Sequence, residues 1–199
     1  MDRNLKPADL LRPPGLRISG RIAHAVPFSE QHLRDPAYLS WLHDPEVVRT
    51  IGRADYVAAP VPFGEVKTYC KQLMSSDKDL FLALYHTADN RFVGTLKAGH
   101  IDWDRGMADI GIMIGEKDYW GRGLATDAIG ALSLHLFDAL GLRRLTAGAM
   151  SVNSAMVKAF EKLGYRREGV LRSQTRHEGG LCDHVLLGCF RNELRFAAQ

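Results

Sequence analysis

Two glycines flank an arginine in Trp120-Gly121-Arg122-Gly123-Leu124-Ala125, and the chain then enters an apolar periodic segment. The first turn of a helix leaves backbone N–H groups without partners and carries about half a positive charge, so it attracts anions. Glycine at that point lets a phosphate reach those N–H groups with no Cβ in the way, and Arg122 adds a cation. The chemistry on offer is diphosphate binding, although the same pattern also serves as a plain strand-to-helix turn. A second candidate is Asp109, a carboxylate set among Ala108, Ile110 and Ile112. Burial in such surroundings raises a carboxyl pKa toward useful basicity; the alternative is a strand-end acid facing solvent. Glu116 is a further acid, in the loop that follows.

Two phosphate-binding motifs can be tested against the loop. A P-loop needs Gly-Lys-Ser/Thr after four spacers, and no such lysine is present. A dinucleotide site wants an acidic residue closing the next strand to hold the ribose; that strand ends in Met150-Ser151. Neither motif fits.

The elements around these residues read as a mixed α/β sheet. Residues 1–15, with Pro7, Pro13, Pro14 and Gly15, form a flexible lead-in to a single domain over 16–199. A strand is expected over 16–23 and a helix over 29–42. A second helix starts at Asp44-Pro45, the acid as N-cap and the proline in the first turn, and a third covers 64–74. Strands follow over 80–86, 92–102 and 108–115, the last apolar enough to lie inside the sheet. The helix after the glycine loop carries Ala125, Ile129, Leu132, Leu136 and Leu140 on one stripe and ends at Gly141. A strand over 143–150, a helix over 153–163 capped by Asn153 and stopped by Gly164, and two strands around 165–171 and 182–191 complete the order.

Composition sets outer bounds. The 199 residues are 46% hydrophobic and 25% charged, the balance of a globular domain rather than a disordered chain. A net charge of +3 without a long basic run gives no reason to expect DNA binding. No apolar run is long enough to span a bilayer or serve as a secretory leader, which predicts a cytoplasmic protein with no membrane partner. Cys70, Cys182 and Cys189 suit neither a disulfide framework nor a metal site and are expected to be buried thiols.

The segments IGIMIGEKDYWGRGLATDA and SVNSAMVKAFEKLGYRREGVLR resemble the acetyl-CoA-binding half of the GNAT N-acetyltransferase superfamily. The likeness is to the branch of ribosomal-protein N-terminal (alanine/serine) acetyltransferases, and WLHDPEVVRTIG is also similar to that branch. The resemblance implies a mostly antiparallel central sheet of about seven strands, splayed in the middle and flanked by helices. It implies acetyl-CoA as co-substrate, no metal, and backbone N–H groups of Arg122, Gly123, Leu124, Ala125 and Thr126 on the CoA diphosphate, with Trp120 and Gly121 opening the loop. The main chain of Ile112, Met113 and Ile114 would pair with pantetheine as an added strand does. Met113 or Ile114 would also supply the N–H for the tetrahedral oxygen, while Asn153 would contact pantetheine and Lys158 a CoA phosphate. Asp109 stands where another branch uses a catalytic glutamate.

The implied reaction is acetyl transfer to a primary amine, on a protein N-terminus or a small molecule, by direct transfer in a ternary complex. A lysine-like amine of pKa 10.4 is neutral about once in 2,500 molecules at pH 7, a deficit of about 4.6 kcal/mol, whereas an N-terminal amine needs only about 1 kcal/mol. The sequence departs from the superfamily where the leaving thiolate would be protonated: Phe160 occupies the usual tyrosine position, and Met156 a position that is often serine or alanine in the branch. Tyr119 and Tyr165 remain as hydroxyls, with aromatic packing as their plainer role. This departure keeps alive an alternative, a CoA-binding sensor or interaction module without turnover, while a nucleotide-dependent oxidoreductase would instead bind NAD. The N-terminal helices and the last hairpin are expected to bind the acceptor, with Asp44, Glu46, Asp55 and Glu65 as scattered acids, and exposed strand edges would permit a homodimer.

Overall fold

The computed structural model describes residues 10–53 and 55–197. One eight-stranded sheet runs in the order β1-β2-β3-β4-β5-β6-β8-β7, formed by β1 (Ile18–Ser19), β2 (Ala23–Pro27), β3 (Leu80–His86), β4 (Arg91–Asp102), β5 (Met107–Ile114), β6 (Arg144–Met150), β7 (Arg166–His177) and β8 (Gly180–Phe190). Neighbours are antiparallel except β5 and β6, which run parallel. The count is one above the sequence expectation because residues 16–23 do not form one strand. They turn at Gly20-Arg21-Ile22, where the buried Asp127 carboxylate accepts N–H bonds from Arg21, Ile22 and Ala23 at 2.9, 2.9 and 3.0 Å.

Helices α1 (Glu30–Leu33), α2 (Pro36–His43), α3 (Pro45–Thr50), α4 (Asp55–Ala58) and α5 (Phe63–Ser75) cover one face. The helix expected over 29–42 is two helices. Asp35-Pro36 repeats the start signal read at Asp44-Pro45: each aspartate accepts a backbone N–H at 2.9 Å, from Ala37 and Glu46 respectively, and each proline occupies the first turn, where its missing N–H costs nothing. Of the lead-in, residues 1–9 lie outside the described ones. Further along it, Leu11 is fully buried and the Arg12 guanidinium donates to the carbonyls of Leu73, Ser76 and Asp79.

Helices α6 (Leu124–Asp138) and α7 (Ser154–Lys162) cover the other face. Ile129, Leu132 and Leu136 of α6 pack on Leu82, Leu84, Leu96 and Ile110. The alternate β3 residues Phe81 and Ala83 face Tyr38, Trp41 and Val66 of the N-terminal helices, so two apolar cores sandwich the sheet. Cys70, Cys182 and Cys189 are buried free thiols, as expected. No helix among the described residues is long and apolar enough to cross a membrane.

Candidate active site

The sheet divides at its one parallel pairing. β5 and β6 stay in register from Met107 opposite Arg144 to Ile110 opposite Ala147, and there the ladder stops. Beyond that point β5 continues against β4 through Ile112 opposite Leu96 and Ile114 opposite Gly94, while β6 continues against β8 through Met150 opposite His184. The β5 edge over 111–114 therefore has no strand partner on its β6 side among the described residues. Gly111, Ile112 and Met113 of this edge line a cavity of about 740 Å³, and Ile114 does not. Met156 and Phe160 of α7 line one end and Tyr38, Leu42 and Tyr69 of the N-terminal helices the other, with Ile112 and Gly148 between them. The space passes through the plane of the sheet, an arrangement that could admit two ligands from opposite faces.

The glycine loop stands at the end of β5. A single 3-10 turn over Lys117–Tyr119 precedes it, and the Trp120 indole N–H donates to the Ile114 carbonyl at 2.9 Å, tying loop to strand. Gly121 and Gly123 have φ of +73° and +81°, the left-handed region that disfavours any residue with a Cβ. Gly123 is the N-cap of α6 and offers no capping side chain, and a Cβ at either glycine would meet no protein atom within 4 Å. The first N–H groups of α6 thus open onto free space, with exposed Arg122 beside them over the Tyr119 ring at 5.5 Å. Leu124 is buried and anchors the helix start, while Ala125 and Thr126 are half-buried.

Asp109 sits on β5 where β5 and β6 are still paired, at the closed end of the split. Its Oδ2 accepts a 2.9 Å hydrogen bond from Thr146 Oγ1, and its carboxyl is held above the ordinary carboxylate range by burial, with that bond and the charges of His100, Lys97 and His184 opposing the rise. The carboxylate does not itself line the cavity. Glu116 is occupied elsewhere, accepting from the Trp41 indole and from Arg91, each at 3.0 Å.

Asn153 is the N-cap expected of it. Its Oδ1 caps α7 by accepting from Met156 N–H at 3.2 Å, its Nδ2 donates to the Thr50 carbonyl at 3.3 Å, and it lines the cavity. Lys158 is exposed on α7 and lines no part of the cavity. The two remaining tyrosine hydroxyls are engaged: Tyr165 is 2% exposed and bonded to Ser133 Oγ at 2.8 Å, with its pKa driven upward by burial, and Tyr119 donates to Asp89. Phe160, 1% exposed, packs edge-on against Tyr165.

Several lining residues escaped sequence reasoning. Lys97 reaches over Gly99 and Gly111 toward Tyr69, Arg53 stacks on Tyr56 at 3.6 Å, and His184 projects from β8 over Gly148. Of the four scattered acids only Glu65 lines the cavity; Asp44 and Glu46 bind Lys117, and Asp55 binds Arg53. A histidine in the apolar run of β8 was the one legible signal among these, since strand alternation sets its face only once the pairing is known.

The open split and the uncapped start of α6 lie at the two ends of one stretch of chain, β5 and the loop that follows it, and residues 120–126 of that loop do not themselves line the cavity. Residues 26–166 match the family model described as acetyltransferase (GNAT) domain, and the chain belongs to that family. It is 31% identical over 101 residues to the uncharacterized N-acetyltransferase p20 of Bacillus licheniformis, a match spanning 51% of this chain and 56% of that protein. A putative acetyltransferase from T. thermophilus superposes with a TM-score of 0.70 at 27% identity, covering 89% of this chain and 90% of that one. RimL, a ribosomal L7/L12 α-N-protein acetyltransferase solved with coenzyme A, shares the fold at TM-score 0.76 and 16% identity, over 88% and 98% of the two chains.

Proposed function

We propose that the protein is an N-acetyltransferase that moves the acetyl group of acetyl-CoA to a primary amine by direct transfer in a ternary complex. The observation that carries this reading is the early end of the β5–β6 ladder at Ile110 and Ala147, which opens a strand edge and a cavity lined from both faces of the sheet. The CoA diphosphate would be held by N–H groups of residues 122–126, where the helix dipole favours negative charge. Pantetheine would lie along Ile112, Met113 and Ile114 and meet the Asn153 side chain; Lys158, exposed and outside the cavity, is the weakest of the expected contacts. Acetyl-CoA supplies the activated acyl group.

What the chain contributes is placement and electrostatics. Entry of the thioester and the amine from opposite faces would bring both to the split, converting a bimolecular encounter into an oriented one. A main-chain N–H of Met113 or Ile114 would stabilise the tetrahedral oxygen. Asp109 would supply negative charge at the closed end, in the low-dielectric surroundings that raise its pKa. The acceptor side mixes Glu65, Lys97 and Arg53 with the aromatic rings of Tyr56 and Tyr69, which suits an amine carrying further polar groups, on a peptide or on a small molecule.

Calorimetric titration with CoA and NAD, followed by thiol release from acetyl-CoA against a panel of peptides, polyamines and amino sugars, tests the proposal. Affinity for CoA, none for NAD, and amine-dependent thiol release are expected. CoA affinity without thiol release would favour the second reading, a CoA-binding module, to which buried Phe160 and the engaged hydroxyl of Tyr165 lend support.

A further inference from the structure

We propose that His184 is the group that takes the proton from the attacking amine and returns it to the departing sulfur. The inference rests on the acetyltransferase reading and assigns a residue that reading leaves open. His184 lies on β8 opposite Met150, across β6 from the split, and its half-buried imidazole lines the cavity. The ring leans over Gly148, where a Cβ would overlap Nε2, so glycine at 148 is what lets the imidazole reach the middle of the cleft. Neither ring nitrogen hydrogen-bonds to any described residue. A histidine half inside a cavity, with both nitrogens uncommitted and a backbone position cleared for it, has the placement of a proton carrier.

The other candidates are bound elsewhere. Asp109 is tied to Thr146 and does not line the cavity, and Glu116, Tyr119 and Tyr165 are each engaged. Facing the same space are Lys97 from β4, Arg53 from the stretch after α3, and Glu65, Tyr56, Tyr69 and Tyr38 from the N-terminal helices. Among the charges that oppose the rise of the Asp109 pKa is that of His184, so the two groups lie within electrostatic reach of one another.

The step balances without an outside acid. The amine lone pair forms the C–N bond at the thioester carbonyl, and the N–H proton passes to an imidazole nitrogen. The C–S bond then breaks with its electron pair on sulfur, and the imidazolium delivers the same proton to that sulfur as a thiol. One residue thus serves as base and then acid, which removes the need for a hydroxyl at Phe160.

The test follows His184 with and without an acceptor. The His184 ring signal, assigned by its disappearance in His184→Gln, is monitored by NMR during titration with acetyl-CoA, and steady-state kinetics with the best amine of the panel are compared for wild type, His184→Gln and Asp109→Asn. The ring signal is expected to move. His184→Gln should lower kcat by about 100-fold or more, the range of general acid–base catalysis, and erase the ascending limb of the pH profile, with CoA affinity and melting temperature kept. Asp109→Asn should keep that limb. Gly148→Ala, which pushes the ring out, should slow wild type strongly but cost little further in the His184→Gln background. An unmoved ring signal while CoA binds, or a full ascending limb in His184→Gln, would overturn the assignment. Failure of wild type to bind CoA would remove the acetyltransferase reading itself, a distinct outcome.

Discussion

Replacing Gly123 with valine separates the needs of the fold from those of the ligand. At φ +81° a residue with a Cβ suffers the left-handed penalty of about 1–2 kcal/mol, at the upper end for a β-branched side chain. No protein atom lies within 4 Å of the added Cβ, so the Cβ itself adds no clash. The start of α6 is also held independently by buried Leu124 and by the three bonds to Asp127. A loss of about 2 kcal/mol in a domain of this size lowers the melting temperature by about 4–8 °C. The ligand fares differently, because the side chain projects into the space a diphosphate would use. Losing two charge-assisted N–H bonds at about 1.5–3 kcal/mol each costs about 3–6 kcal/mol, a weakening of at least about 100-fold. Calorimetry with CoA and a thermal melt report the two effects separately. A folded Gly123→Val protein that binds CoA within about threefold of wild type would refute the reasoning.

Two further predictions concern protons. Asp109→Asn is expected to lower turnover at neutral pH with CoA affinity unchanged, measured by kcat against calorimetric Kd; normal turnover across the pH range would deny Asp109 any electrostatic role. Burial lowers the pKa of His24, His32 and His135 in the folded state, and His32 accepts at Nδ1 from Ser29 N–H while its Nε2 faces the Tyr85 hydroxyl. The unfolded chain therefore binds protons first, and stability should fall as pH drops below about 6.5 toward the folded-state values. Asp109, with its raised pKa, acts in the opposite sense. Urea midpoints at pH 7.5 and 5.5 check the sign, and an equal or higher midpoint at pH 5.5 would contradict it.

Much of the fold was legible because its signals are local. The strand over 80–86 and the helix that ends at Gly164 follow from short-range periodicity and caps, and the observed β3 (Leu80–His86) and α7 (Ser154–Lys162) agree. The glycine loop was legible for the same reason: φ above zero is a property of single residues. The division of 29–42 into two helices was also written in the sequence, in Asp35-Pro36, but helical periodicity ran through it and masked the break. The hairpin at Gly20-Arg21-Ile22 depends on Asp127, more than a hundred residues away, and no local pattern announces a partner at that distance. The same holds for the site. What claims the missing Cβ of Gly148 is the His184 ring, brought there by the pairing of β6 with β8. Lys97, Tyr69 and Arg53 likewise reach the cavity only through tertiary packing.

The backbone amides report most directly on the central claim, that the parted strand edge and the helix start together form the CoA site. In a 15N-edited titration of the full chain with CoA, the amides of residues 111–114 and 122–126 are predicted to move together with one affinity. Saturable CoA binding that leaves both segments unmoved would place the ligand elsewhere and contradict the account.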